Sequence, residues 1–424
     1  MTHSLTTRKL THQYLIPTYG RFDLEIVRGS GSRVWTETGK QLLDFGAGIA
    51  VCSLGHAHPE VGKAVAHQCT QLLHTSNLYY TRPQAELARQ LINIVGADGK
   101  VFFCNSGAEA NEGLIKLTRK FGDAKRYEMI TFQGSFHGRT MAGISATGQE
   151  KVKKGFAPLV PGFVHVPYGD LEAVRAAIRP ETAAILVEPI QGEGGIRIAT
   201  GQFLQGLRRL CDEHNLLLLF DEIQCGLGRT GDWCGWKSIA GESVIPDGIA
   251  WAKGIANGLP LGAFWVSSRN CTDRGALCDL LGLGSHGTTY GGNPVVCAAG
   301  LVVLEVIEKE NLLKNALELG AYCREELRTI QSPAITDIRA LGLMIGIEFG
   351  IALDSLLPST PEDPRPPATR LAMALISEGL LAIPAGERVL RFLPPLNVTR
   401  FEIDEAVEKL RRILQTPGSV LSHP

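Results

Sequence analysis

The sequence predicts an α/β protein: a large domain on a mostly parallel central sheet, with a smaller α/β domain formed by the two chain ends. Three observations lead there. Short, wholly apolar runs recur with helical periodicities between them, the pattern of strands buried on both faces by crossover helices. At 424 residues and 44% hydrophobic content, the chain exceeds what one small core holds. Near Asn311 the texture then changes to a charged helix and short β-like runs.

The clearest strands are Val101–Cys104, Ala184–Val187, Leu216–Phe220 and Ile249–Trp251. Between them, Glu109–Phe121 places Leu114, Ile115, Leu117 and Phe121 on one helical face, and Gln202–Glu213 does the same with Phe203, Leu207 and Leu210. Beyond Asn311 come a charged helix to Ile330, a β-like run Leu343–Phe349 and a proline-rich loop, Pro358–Pro367. A helix near Arg370–Glu378, strands around Leu381 and Leu390, and a last helix opened by the Thr399/Glu402 capping box complete this part. Two strand-like pieces before Ala50 would join it. The expected division is 1–55 and 311–424 for the smaller domain and 56–310 for the larger.

Bulk chemistry narrows the function. Lysine and arginine total 42 against 43 acidic residues, so no charge surplus favours nucleic acid or an anionic membrane. Ten cysteines without a C-x-x-C pair fit neither a disulfide framework nor a zinc cluster, and a reducing compartment follows. His56, His58 and His137 lack partners at metal-ligand spacing, so no metal site is expected. With no apolar run of membrane-spanning length and no apolar core in Met1–Arg8, the expected location is the cytoplasm.

Candidate chemistry gathers where apolar strands end, since ligands of open parallel sheets bind at the carboxyl ends. Asp221-Glu222 follows Phe220 directly, with Gln224 close behind. A carboxylate there either caps the next turn or stays ionised opposite a cation such as a protonated pyridine nitrogen. Lys253 follows Trp251 at the same rim, either as a solvated lysine or as a desolvated amine fit to form an imine. Asn105–Glu109 joins a strand to a helix and reads as a simple capped turn or, through Gly107, as a phosphate cradle. The Gly287–Asn293 segment sets Thr288 and Thr289 among glycines, which also suits phosphate. Gly226–Gly231 fits the G-x-G-x-x-G dinucleotide pattern, but Asp232–Trp236 reads on as loop instead of opening a helix.

Several blocks in order resemble the class III, ornithine-type aminotransferases of fold type I, over about Tyr19–Ile413. They are Gly48–Val51 with Leu54–His56, Phe103–Glu112, Phe136–Thr140, Glu188–Gly195, Asp221–Gln224, Gly228–Gly231, Ala252–Gly254 and Gly287–Pro294. His74–Tyr80 and Leu390–Leu396 look most like members acting on N-acetylornithine. Thr36 departs from the acidic residue usual after Trp35, and Trp233–Trp236 is unusual.

The resemblance implies pyridoxal 5'-phosphate as cofactor, held covalently by Lys253, which also moves the substrate proton. Asp221 would keep the ring nitrogen protonated, with Glu222 beside it, Gln224 on the phenolic oxygen, and Phe136 and Ile223 on the two ring faces. Gly107 and Ala108 amides would hold the phosphate, helped by Thr289 from a second subunit, which makes the expected assembly a homodimer with shared sites. Arg139, Glu193, Thr288 and Arg391 would meet substrate, Arg139 as a carboxylate clamp and Glu193 with Arg391 as a switch. The implied reaction moves the terminal amine of N2-acetylornithine to 2-oxoglutarate. Ornithine, succinylornithine, succinyldiaminopimelate or 4-aminobutyrate are alternative donors, and a nicotinamide oxidoreductase or non-catalytic relative is the alternative of another class.

Overall fold

The structure, a computed structural model, describes residues 2–271, 274–360 and 363–415. Part of the proline-rich loop (361–362) and the chain end (416–424) therefore lie outside it. A seven-stranded sheet organises the molecule, in the order Gly99–Cys104, Gly262–Ser267, Gly248–Trp251, Leu217–Asp221, Thr182–Val187, Glu128–Phe132 and Phe163–Val166. All neighbours pair in parallel except Gly262–Ser267, which runs antiparallel to both of its partners. The physical reason is the connection. Ala252–Leu261 is too short to house the crossover helix that a parallel return needs, so the chain comes back as an antiparallel strand.

Thr182–Val187 and Leu217–Asp221 are buried at every position, so polar alternation is absent and the strands read as apolar runs. Helix Gly107–Gly122 packs one face with Leu114, Leu117 and Phe121, and helix Gly201–His214 covers its neighbours with Phe203, Leu207 and Leu210. Glu128–Phe132, Phe163–Val166 and Gly262–Ser267 are strands that the sequence reading did not single out. The first two carry polar or half-buried positions at a sheet margin, which blurs the apolar signal.

The two chain ends meet in a second sheet, where Leu380–Leu381 adds in parallel to Gln41–Asp44 beside Arg33–Thr36 and Ile26–Ser30. A third sheet joins Ile335–Leu341, Met344–Phe349, Val389–Phe392 and Ile383–Ala385. Helix Arg400–Gln415 packs nearby and begins with the expected capping box, Glu402 N donating to Thr399 Oγ1 at 3.3 Å and Thr399 N to Glu402 Oε2 at 2.8 Å. Helix Thr2–Tyr14 was not expected from the sequence, and its moderate, largely polar periodicity explains why.

Helix Gly107–Gly122 lies so close to the sheet that a Cβ on Gly113 would come within 2.2 Å of the Phe264 ring. Mid-helix glycine costs about 0.5–1 kcal/mol relative to alanine, whereas overpacking a core costs about 1–3 kcal/mol. Gly113→Ala should therefore lower unfolding free energy by about 1–2 kcal/mol in urea titration. A net gain would show that the contact yields freely.

Candidate active site

The carboxyl ends of the parallel strands open onto one cavity of about 430 Å³. Asp221, the last residue of its strand, is only 4% exposed. Its Oδ2 accepts from Asn111 Nδ2 at 2.8 Å and from His137 Nδ1 at 2.8 Å, and its Oδ1 accepts from Ile223 N at 3.1 Å. A carboxylate only accepts, so the His137 proton must sit on Nδ1. His137 Nε2 and Asn111 Oδ1 are then buried without hydrogen-bond partners.

Lys253 stands one strand over. Its backbone has φ +45°, in the left-handed region, which swings the chain sharply as the strand ends. Burial, then the Arg391 charge, lower its amine to about 8, against Glu193, Asp221 and Glu188. A minor but substantial fraction of the amine is therefore neutral near physiological pH, far more than for an ordinary lysine.

The turn after Gly99–Cys104 is a helix N-terminus. Ser106 caps it, accepting from Glu109 N at 3.2 Å, while Glu109 Oε2 accepts from Asn105 N at 3.0 Å. Gly107 and Ala108 line the cavity there with free first-turn amides available to an anion. A Cβ on Gly107 would lie 2.7 Å from Ile223, so that contact requires glycine.

On another wall, Arg391 is 1% exposed and donates to Glu193 Oε1 at 2.6 Å, Gln224 Oε1 at 3.2 Å and Pro384 O at 3.1 Å. Burial alone would raise Glu193, but the Arg391 charge and hydrogen bond outweigh it and hold the carboxyl below its usual range. Glu188 behaves oppositely. Burial, then the Asp221 charge, push it well above the carboxylate range, although the Phe136 and Gly192 amides bond to it. Burial and the Asp221 charge thus both favour the protonated form of Glu188 in the cavity wall.

Segment Ala47–Ala50 forms another boundary. Ala47, Gly48, Ile49 and Ala50 have φ of +45°, +64°, +65° and +62°, with Ala50 N bonded to Gly46 O and Val51 N to Ala47 O. This is one turn of left-handed helix, which costs L-residues about 1–2 kcal/mol each. Val51 follows it and lines the cavity.

The family model described as "Aminotransferase class-III" matches residues 15–414. The chain is 47% identical over 400 residues to a protein of Myxococcus xanthus named acetylornithine aminotransferase, covering 92% of this chain and 93% of that one. A solved ornithine aminotransferase from Toxoplasma gondii, with partial occupancy of PLP at its active site, superposes with a TM-score of 0.86. It is 32% identical and the match covers 96% of this chain and 93% of that one. N-acetylornithine aminotransferase from Stenotrophomonas maltophilia K279a aligns with a TM-score of 0.77 at 32% identity, covering 96% and 97%. The chain belongs to the class III aminotransferases.

This class III aminotransferase depends on pyridoxal phosphate. Its cavity suits that group, pairing a buried amine with a buried carboxylate and a helix N-terminus. Gly107, Ala108, Phe136, Arg139, Glu193, Asp221, Ile223, Gln224 and Lys253 all face the one cavity, Arg139 from an exposed rim with its guanidinium 5.6 Å from the Phe136 ring centroid. Arg391 sits behind Glu193, and Thr288 touches the site only through Asn105 Nδ2 at 3.1 Å. Thr289 lies in a separate cleft with His74–Asn77.

Glu222 corrects an expectation. Its carboxylate turns away from the cavity and accepts from Gly235 N and Trp236 N, both at 2.7 Å, so it anchors a helix instead of facing the cofactor space. That helix, Gly235–Ala240, also corrects the reading of Asp232–Trp236 as continuous loop. The sequence reading missed Asn111, Glu188 and the role of His137 beside Asp221. A polar Asn on the buried face of an apolar helix was the available signal for the first.

In cofactor-free protein, reductive labelling of Lys253 by a small aldehyde needs the neutral amine, so labelling should rise with pH around a midpoint near 8. A midpoint at the ordinary lysine value of 10.5 would show that burial does not tune this amine.

Proposed function

We propose that this aminotransferase moves the terminal amine of N2-acetylornithine to 2-oxoglutarate, giving N-acetylglutamate 5-semialdehyde and glutamate, a step toward arginine. The observation carrying this reading is the Glu193–Arg391 pair in the wall of the cavity that holds Lys253. An amine at a chain end brings no carboxylate on its reacting carbon, and an unpaired buried Arg391 would then be costly. Glu193 neutralises it. 2-Oxoglutarate does bring a carboxylate beside its carbonyl, which can take Arg391 once Glu193 swings out, and Glu193 is 31% exposed and so has room to move. The relative named for acetylornithine supports the choice of donor.

In this reading Lys253 Nζ would hold the cofactor and, once displaced by the substrate amine, would take the proton from the amine-bearing carbon of the substrate and deliver it to the cofactor side instead of back to that carbon. Bound pyridoxal phosphate supplies an aldehyde for the amine and an electron-withdrawing ring. Asp221, fixed by Asn111 and His137, would hold a proton on the ring nitrogen, and Gln224 would serve the phenolic oxygen. Phe136 and Ile223, which line the cavity, would close the two ring faces and exclude water, and the Gly107 and Ala108 amides would take the phosphate. Arg139 at the rim would bind the distal carboxylate of the substrate, and Thr288 would act from behind Asn105.

The proposed working unit is a homodimer in which Thr289 of the partner subunit reaches the phosphate. Its own chain places Thr289 in a different cleft from Lys253, as such sharing requires. Residues 1–55 and 311–424 would form one domain and 56–310 the other, supported by the strand pairing between the chain ends. The cytoplasm is the proposed location. Among the described residues no two cysteines form a disulfide, and no described helix is long and apolar enough to cross a membrane.

Half-reactions measured separately test the switch. Glu193→Ala should improve glutamate relative to the terminal-amine donor by about tenfold or more, since the freed Arg391 favours an α-carboxylate by about 1.4 kcal/mol or better. Arg391→Ala should chiefly impair the 2-oxoglutarate half. Equal losses in both halves for both variants would remove the switch, and a donor panel with 2-oxoglutarate ranks the amines.

Subunit sharing is tested by mixing two impaired variants, Lys253→Ala and Thr289→Val. A mixed dimer has one site with both defects and one with neither, so activity should rise on subunit exchange. No rise despite demonstrated exchange would mean that each chain completes its own site.

A further inference from the structure

We propose that Asp44 and His56 are positioning residues that clamp the left-handed turn Ala47–Ala50, so that Val51 sets the width of the cavity for the amine donor. The inference rests on the aminotransferase reading above, but it starts from backbone geometry. Consecutive left-handed residues that are not glycine do not persist unheld, because each Cβ crowds the following carbonyl oxygen. Here Ala47, Ile49 and Ala50 all adopt that conformation, and only Gly48 does so without strain.

Side chains and backbone from outside the turn hold it at both ends. Asp44 Oδ1 accepts from Gly46 N at 2.8 Å and from Ala47 N at 2.9 Å, which fixes the entrance to the turn. Asp44 Oδ2 takes His56 Nε2 at 2.7 Å. The His56 backbone pairs both ways with Gly31, N to O at 2.8 Å and O from N at 3.0 Å, so the clamp is footed on a separate segment. The exit is tied to the lysine-bearing segment, since Leu54 N donates to Asn257 Oδ1 at 2.8 Å and Asn257 Nδ2 to Gly55 O at 3.0 Å. Hydrogen bonds to Asp44 and then Cys52 raise His56 to about 10, so the clamp stays a charge-assisted pair across the neutral range.

Among the described residues, Val51 is the cavity-lining residue contributed by residues 2–55. Its side chain offers nothing to a phosphate or a ring nitrogen and can act only through shape. Moving it changes the space for the carbon chain of the donor, whereas Asp221 and the phosphate turn are held by bonds from segments other than this one. Loss of the clamp should therefore appear in KM for the donor before it appears in kcat.

The test uses holoenzyme with N2-acetylornithine and 2-oxoglutarate, together with amide hydrogen exchange of residues 46–52. Asp44→Ala removes all three bonds and should raise donor KM about tenfold while kcat falls less than threefold, and exchange in 46–52 should accelerate at least tenfold. Adding Ile49→Gly, which removes strain at an exposed position, should bring KM and exchange back to within threefold of wild type. Asp44→Asn, which keeps the Oδ1 acceptor, should lie between. If Asp44→Ala does not fold, His56→Gln reads the same two quantities. Unchanged KM and exchange would overturn the proposal, as would a loss concentrated in kcat that glycine does not repair. A wild-type enzyme inactive with every amine donor would instead defeat the functional reading, while exchange would still report on the clamp.

Discussion

Burying the Asp221 carboxylate at the end of a central strand is expensive, because an ionised acid with no compensation costs several kcal/mol in a protein interior. The structure meets that cost with one donor from each of two other elements: Asn111 on helix Gly107–Gly122 and His137 on the loop after Glu128–Phe132. Three segments far apart in sequence are thereby locked to one oxygen pair. The same helix presents the Gly107 and Ala108 amides, and the same loop carries Phe136 and Arg139. Displacing Asp221 would move most of the cavity with it.

Charge in the cavity is arranged by difference. Burial and Asp221 raise the Glu188 carboxyl, while Arg391 holds the Glu193 carboxyl below its usual range. Lys253 lies within reach of both signs, and burial with Arg391 wins over the carboxylates, leaving its amine poised near neutrality. Two acidic residues of one glycine-rich segment are thus shifted in opposite directions by their neighbours, and Glu193 is the one paired with a guanidinium.

Close approach is what the many glycines supply. A side chain at Gly192 would collide with Gln224 within 2.2 Å, and one at Gly262 with Ser106 O within 2.4 Å, so the walls of the cavity touch backbone to side chain. The exception is the Ala47–Ala50 turn, where residues with a Cβ carry the left-handed conformation and outside groups hold it.

Apolar runs such as Leu217–Phe220 and the motif order were enough to determine the α/β class, the family and most of the residues that face the cavity. Strand ends in an open parallel sheet converge, so Asp221 and Lys253 could be placed near one another without coordinates. The chain could not reveal which carboxylate turns inward. Asp221 and Glu222 are adjacent, and only the packing of helix Gly235–Ala240, whose first amides capture Glu222, decides that Asp221 faces the cavity. Asn111 and His137 were illegible as a pair because their meeting depends on distance in space, not spacing in sequence. The hand of the Ala47–Ala50 turn was decided by the tertiary structure too. Local preference favours the right-handed form, whereas the folded chain brings Asp44, bonded to His56 and through it to Gly31, against the entrance of the turn.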